Sequence, residues 1–197
     1  AYVGINLRDR VLQDVRVRRA LGHGVDTAAI IEHLRRGLAV PATGILPPMS
    51  WAHAADLQPV PYDPAAARRL LDEAGYPDPD GDGPRPRLRL TLKTSTAEFV
   101  RLQAAVIQQD LARIGVAVDV RTYEFATLYS DVLKGQFQLF TLQWVGVTDP
   151  DMLRRVFHTA QMPPAGFNRG FFSDPQVDAL IDTATTTTHA PTRKALY

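Results

Sequence analysis

In the run Phe137 to Asp151, FQLFTLQWVGVTDPD, apolar residues fill both alternation sets, with Phe137, Leu139 and Thr141 on one side and Phe140, Leu142 and Trp144 on the other. A strand patterned this way is covered on both faces, which places it in the interior of a sheet. At Trp144 the run breaks into Val145-Gly146-Val147-Thr148-Asp149-Pro150, where glycine frees the backbone and an Asp-Pro pair suits the opening of a short helix. A large ring therefore stands where a buried strand emerges. Ligands of open α/β sheets collect beyond the carboxyl ends of strands, so Trp144 and its loop form the first candidate site, against the alternative that the ring is plain packing.

The rest of the chain alternates strand-like and helix-like patterns. Tyr2 to Asn6 is a short β-type run, and Val17, Ala20 and Leu21 share the buried face of a helix opening near Asp14. Asp26 is placed to cap a second helix whose Ile30, Ile31 and Leu34 turn inward, with Gly37 as its stop. From Val40 to Pro61 the sequence is proline-rich and without period, an irregular surface segment with Trp51 as its anchor. Asp63-Pro64 starts a helix running through Ala74, ended by Gly75 and Pro77. Then come a half-exposed strand (Arg87 to Lys93), the longest helix (about Ala97 to Ile114), a strand through Val116, Val118 and Val120, and a helix from Phe125 to Leu133. Beyond the central loop the pattern predicts a short helix from Met152 to Phe157, another after Ser173-Asp174-Pro175, a loop at the β-branched tract Thr185 to Thr188, and a new helix from Pro191. The β-α-β-α-β order defines an α/β protein with a mixed, partly parallel sheet flanked by helices.

Composition narrows the function classes. Lys plus Arg is 22 against 21 Asp plus Glu in 197 residues, with no long block of one sign, so nothing marks a nucleic-acid partner. Arg85, Arg87 and Arg89 are expected on the solvated face of their strand. Cysteine is absent, which removes disulfides, thiolate metal sites and Cys nucleophiles together. No apolar run approaches the roughly 20 residues of a membrane helix, and no export signal opens the chain; if the protein is exported, that signal lies outside this sequence. The histidines, His23, His33, His53, His158 and His189, form no pair at ligand spacing, so no metal centre is expected. Asp78, Asp80 and Asp82 imitate the first half of a calcium loop, but its twelfth position is Arg89 where a bidentate acid is needed, and a solvated turn is the default reading. Ser50, Ser95, Ser130 and Ser173 lie in no nucleophile motif. Asp149 and Asp151 flank a proline at a helix start, where capping explains them without acid-base work. The expectation is a protein that is not an enzyme and needs no cofactor.

Several phrases in order carry a resemblance: Val15-Arg16-Val17-Arg18-Arg19-Ala20-Leu21 with Val25-Asp26, Leu46-Pro47-Pro48, Tyr62-Asp63-Pro64 with Ala67-Arg68-Arg69-Leu70-Leu71-Asp72-Glu73-Ala74-Gly75-Tyr76, Gln108-Gln109-Asp110-Leu111 with Ile114-Gly115-Val116, Asp149-Pro150-Asp151, and Ser173-Asp174-Pro175 with Val177-Asp178-Ala179-Leu180-Ile181. In these the chain resembles the family 5 extracellular solute-binding proteins of bacterial ABC transporters, the oligopeptide-, dipeptide- and nickel-binding type. The resemblance implies that residues 1–197 are a single α/β lobe of a two-lobed periplasmic binding protein (type II, cluster C-like), the C-terminal jaw of a clamp. The first lobe and a final return segment are then expected outside this sequence. It implies a monomeric solute-binding component of an ABC importer, periplasmic or extracellular, with a lipid anchor as one option, handing a peptide-like or other small solute to permease subunits. A ligand-sensing or protein-interaction domain is the alternative, and a hydrolase the third. Carried over by position, the ligand-facing set comprises Gln143, Trp144, Val145, Val147, Phe125, Asn168 and Arg169. In peptide-binding members the position of Val147 holds an Asp that pairs with the ligand's α-ammonium; here Asp149 takes that role through a shifted loop, or only caps.

Overall fold

The computed structural model describes residues 1–81 and 83–197. Asp82, third carboxylate of the calcium-like turn, lies outside the described residues. Four strands, β1 (Tyr2–Ile5), β2 (Leu88–Ser95), β3 (Val116–Tyr123) and β4 (Leu139–Leu142), form one sheet in the order β1-β4-β2-β3. β2 pairs in parallel with both β3 and β4, whereas β1 runs antiparallel to β4 with Tyr2 opposite Leu142. The strand with two apolar faces is thus interior, as its pattern requires.

Helices cover both faces. On one side α1 (Val15–His23), α3 (Pro64–Glu73) and α4 (Glu98–Ala112) pack with a short α2 (Thr27–Ala29). Their buried residues, among them Val17, Leu71, Ile107 and Leu111, meet Leu88, Leu90 and Leu92 of β2, Val116 and Val118 of β3 and Leu139 of β4 in an aliphatic core. On the other side α5 (Phe125–Leu133) sends Leu128 and Val132 against Phe137, Phe140 and Phe171, a core rich in rings. Gly4 is required here, because a Cβ at that position would enter the Phe140 ring. Lys93 of β2 reaches Asp131 of α5 at 2.6 Å and fixes that helix on the sheet. Between β2 and β4 the hydroxyls of Thr94 and Thr141 pair at 2.9 Å in the interior. β3 forms the far edge, where the exposed side chains of Asp119 and Arg121 pair at 2.8 Å.

The helix starts follow local chemistry. Asp63 accepts from Ala66 N at 2.8 Å with Pro64 in the first turn, and Gly75 (φ +88°) ends the segment in the left-handed region. Asp14 caps α1 by accepting from Arg16 N at 2.8 Å. Asp174 does the same for α7 (Pro175–Thr186), and α6 (Met152–Phe157) and α8 (Ala190–Leu196) complete the order.

Three expectations need correction. The threonine tract is not a loop from Thr185: α7 continues through Thr186, because Thr183, Thr185 and Thr186 bond their hydroxyls to carbonyls one turn back (Thr183 to Ala179 at 2.7 Å, Thr185 to Ile181 at 2.9 Å) and so satisfy themselves within the helix. The helix capped by Asp26 becomes a π-turn over Ile30–Leu34, with Ile30 the residue that is buried. Arg87 is not solvated: its side chain is 7% exposed, pairs with Asp72 and Asp78 and donates to Tyr76 O at 3.1 Å, binding the end of α3 to the entry of β2. Trp51 meets the ring of Tyr197 edge-on at 6.2 Å with Arg193 5.4 Å away, so its segment is stapled to α8.

Candidate ligand-binding site

Because β2, β3 and β4 are parallel, the turns that follow them leave the sheet at one end. Tyr2 joins them there, since antiparallel pairing sets it across from Leu142. Trp144 follows β4 by two residues and stacks on Tyr2, centroids 5.9 Å apart and planes within 7°. Phe167 meets the same indole edge-on at 5.6 Å. At the start of α5, Phe125 stacks on Tyr129 at 5.8 Å, one turn along the helix. The two ring pairs are joined by Arg169, which donates at 3.0 Å to the hydroxyls of both Tyr2 and Tyr129 and lies 4.7 Å from the Trp144 ring centre. Burial pushes the Tyr2 phenol up, with the neighbouring guanidinium opposing it.

This strip has an open rim and a closed base. Val145 is 80% and Phe125 58% exposed, while Trp144 and Val147 are half-buried and Gln143 faces solvent. Arg169 is only 7% exposed beneath them. Asn168 differs from the expected ligand-facing role: at 1% exposure, its amide nitrogen donates to Phe172 O at 2.7 Å and His158 O at 3.2 Å, while its oxygen accepts from Phe172 N at 3.0 Å. It locks the loop that carries Phe167 and Arg169. Asp149 accepts from Asp151 N at 2.8 Å in a turn just ahead of α6, whose cap position is Asp151, and lies exposed on the loop. Trp144, Phe125 and Arg169 are therefore brought together, Gln143, Val145 and Val147 flank them, and Asn168 acts from behind. Tyr2, Tyr129 and Phe167 were not read from the sequence; the spacing of four between Phe125 and Tyr129 is the one signal that pointed to any of them.

A mixed α/β sheet that brings stacked rings to the carboxyl ends of its parallel strands places them where open α/β proteins collect their ligands. Residues 1–162 match the bacterial extracellular solute-binding proteins, family 5, middle region, and the chain belongs to that family. It is 36% identical over 203 aligned positions to the glutathione-binding protein GsiB of Salmonella typhimurium, covering 100% of this chain and 38% of that protein. Among solved structures, NikZ from Campylobacter jejuni in complex with Ni(L-His) is 27% identical with a TM-score of 0.89 over 99% of this chain and 40% of its own. The oligopeptide-binding protein AppA from Bacillus subtilis, in complex with a nonapeptide, is also 27% identical with a TM-score of 0.89, over 100% of this chain and 40% of its own. The chain thus spans well under half the length of these relatives. Among the described residues no helix is long and apolar enough to cross a membrane.

Proposed function

We propose that this chain is one ligand-binding lobe of an exported receptor that captures a small, peptide-like solute and delivers it to an ABC permease. The observation that carries the reading is the ring strip around Trp144, half-open at the sheet's carboxyl end, in a chain that belongs to a family of solute-binding proteins. Binding is by enclosure: rings and aliphatic rim supply apolar area, and Gln143 and the loop backbone supply hydrogen bonds. A second lobe, contributed by sequence beyond residues 1–197, covers the open rim, and the solute shifts the balance between open and closed arrangements. No covalent chemistry is required. The solute classes follow from the relatives, whose names give glutathione, an oligopeptide and a nickel–histidine complex.

The test is thermal-shift screening of the full-length protein against glutathione, short peptides, sugars and nickel–histidine. A peptide-like solute at a hundred times its Kd is expected to stabilise by about 2.7 kcal/mol, and replacing Trp144 by Ala is expected to cut that to about 0.9 kcal/mol at the same concentration. A screen in which none of these solutes raises Tm, or one in which Trp144→Ala shifts as wild type does, overturns the reading. Residues 1–197 alone are expected to bind the same solute at least a hundredfold more weakly, because half of the enclosing surface is missing.

A further inference from the structure

Arg169 is a buried cation without an anion. Its guanidinium is tied to two phenol oxygens, those of Tyr2 and Tyr129, and lies over three rings, at 4.7 Å from Trp144, 5.0 Å from Tyr129 and 5.1 Å from Phe167. Its Nε is buried and finds no hydrogen-bond partner. Among the described residues no carboxylate lies within ion-pair reach of it, although the other strongly buried basic side chains near the sheet, Lys93 and Arg87, each hold one. Ring faces and phenols steady the guanidinium and leave its charge uncancelled. The loop above it, Gln143 to Thr148, carries no acid, and Asp149, the first one beyond, is exposed and turned to Asp151 N. Charge at the base of the strip is therefore positive, and among the described residues no carboxylate pairs with it.

We infer that Arg169 sets the sign of the group that the ring strip accepts, so that the part of the solute resting at Trp144 carries a carboxylate. This rests on the solute-binding reading given above and names the chemistry of the end held by this lobe. Arg169 acts as a positioning and specificity residue: it holds Tyr2, Tyr129 and Trp144 in place, and its charge reaches the solute across them without direct contact. An anionic end gains and a cationic or neutral end does not, by about tenfold, the size of one charge interaction at roughly 10 Å in a medium of effective dielectric about 20.

Two measurements separate this inference from the reading beneath it. In the full-length protein, affinities are compared for trialanine and its C-terminal amide, and for glutathione and its diethyl ester. Wild type is expected to prefer each acid by about tenfold, Arg169→Lys to keep most of that ratio, and Arg169→Gln to bring it near one; an acid preference as large in Arg169→Gln as in wild type overturns the inference. The second measurement needs no solute. In the full-length protein the fluorescence that Trp144→Phe removes is taken as that of Trp144, and iodide is expected to quench it more strongly than caesium, with the difference lost in Arg169→Gln. Equal quenching by the two ions in the unmutated strip overturns the inference even if Arg169→Gln fails to fold. If no solute binds but iodide prevails, the charge assignment is supported and the proposed function falls.

Discussion

The two faces of the sheet are built from different materials. Against α1, α3 and α4 the interior is aliphatic, and among the described residues Tyr76, partly buried, is the ring that packs against it. Against α5 the interior holds Phe137, Phe140 and Phe171, flanked by Tyr2, Tyr123, Leu142 and Met162. The first face is positioned by the fit of aliphatic side chains. The second continues upward into Trp144, Arg169 and Tyr129, where ring planes and hydrogen-bond directions fix orientation. The ring-bearing face carries the proposed site and the aliphatic face does not, and that division can be tested experimentally.

The largest expected effect is on the aliphatic side. Leu92, fully buried in β2, replaced by Ala is expected to cost about 2–5 kcal/mol in urea unfolding, with solute affinity per folded molecule unchanged; a matching loss of affinity would show that the two faces are not separable. Trp144→Ala is the mirror case. Its ring is half-buried at the rim, so stability should fall by about 1–3 kcal/mol, less than the roughly 3–5 kcal/mol of a fully buried ring, while solute affinity drops about thirtyfold in calorimetry, and a fall as large as that of a buried ring would make the indole a core residue. Asn168→Ala, which strands the carbonyls of His158 and Phe172 and the amide of Phe172, is expected to cost about 1–3 kcal/mol and to speed amide exchange across residues 158–172; unchanged exchange there would remove its role as the lock of that loop.

The smallest effect lies at the start of α1, on the aliphatic side. Hydrogen bonds from Arg16, side chain first and backbone second, hold the Asp14 carboxyl down to about 2. Since this lies below the unfolded value, the cap's contribution is complete above ordinary carboxylate pH and fades as pH falls through about 2. A carboxyl carbon titration by NMR with its midpoint near 3.8 would show that the Arg16 pairing does not persist in solution.

How much of this was legible follows from the range of each interaction. The bounds of α5 and α6 agree with the sequence, as does the Asp63-Pro64 start of α3; for α3 the Asp63 cap, and for the end of α5 Gly135, act within a few residues. Thr185 misled because its intrinsic preference opposes a helix while its hydroxyl can still reach the Ile181 carbonyl. Arg87 misled because its partner Asp72 stands on another element, fifteen residues earlier. At the site, Trp144 could be found from a strand pattern that ends in a ring, and Phe125 and Arg169 only by resemblance. Nothing local joins Tyr2, Tyr129 and Phe167: they meet because β1 pairs with β4 and because Asn168 folds its loop back on itself. Such neighbours arise from tertiary closure, to which periodicity is blind.

β3 ends the sheet with one side of its backbone unpaired, which is where a flat apolar strand would recruit another chain and grow into fibrils. The ion pair of Asp119 and Arg121 stands there in solvent. An incoming strand would have to settle beside both charges, an arrangement proteins commonly use to keep open edges from adhering to one another. That safeguard is written into the last strand of the sheet.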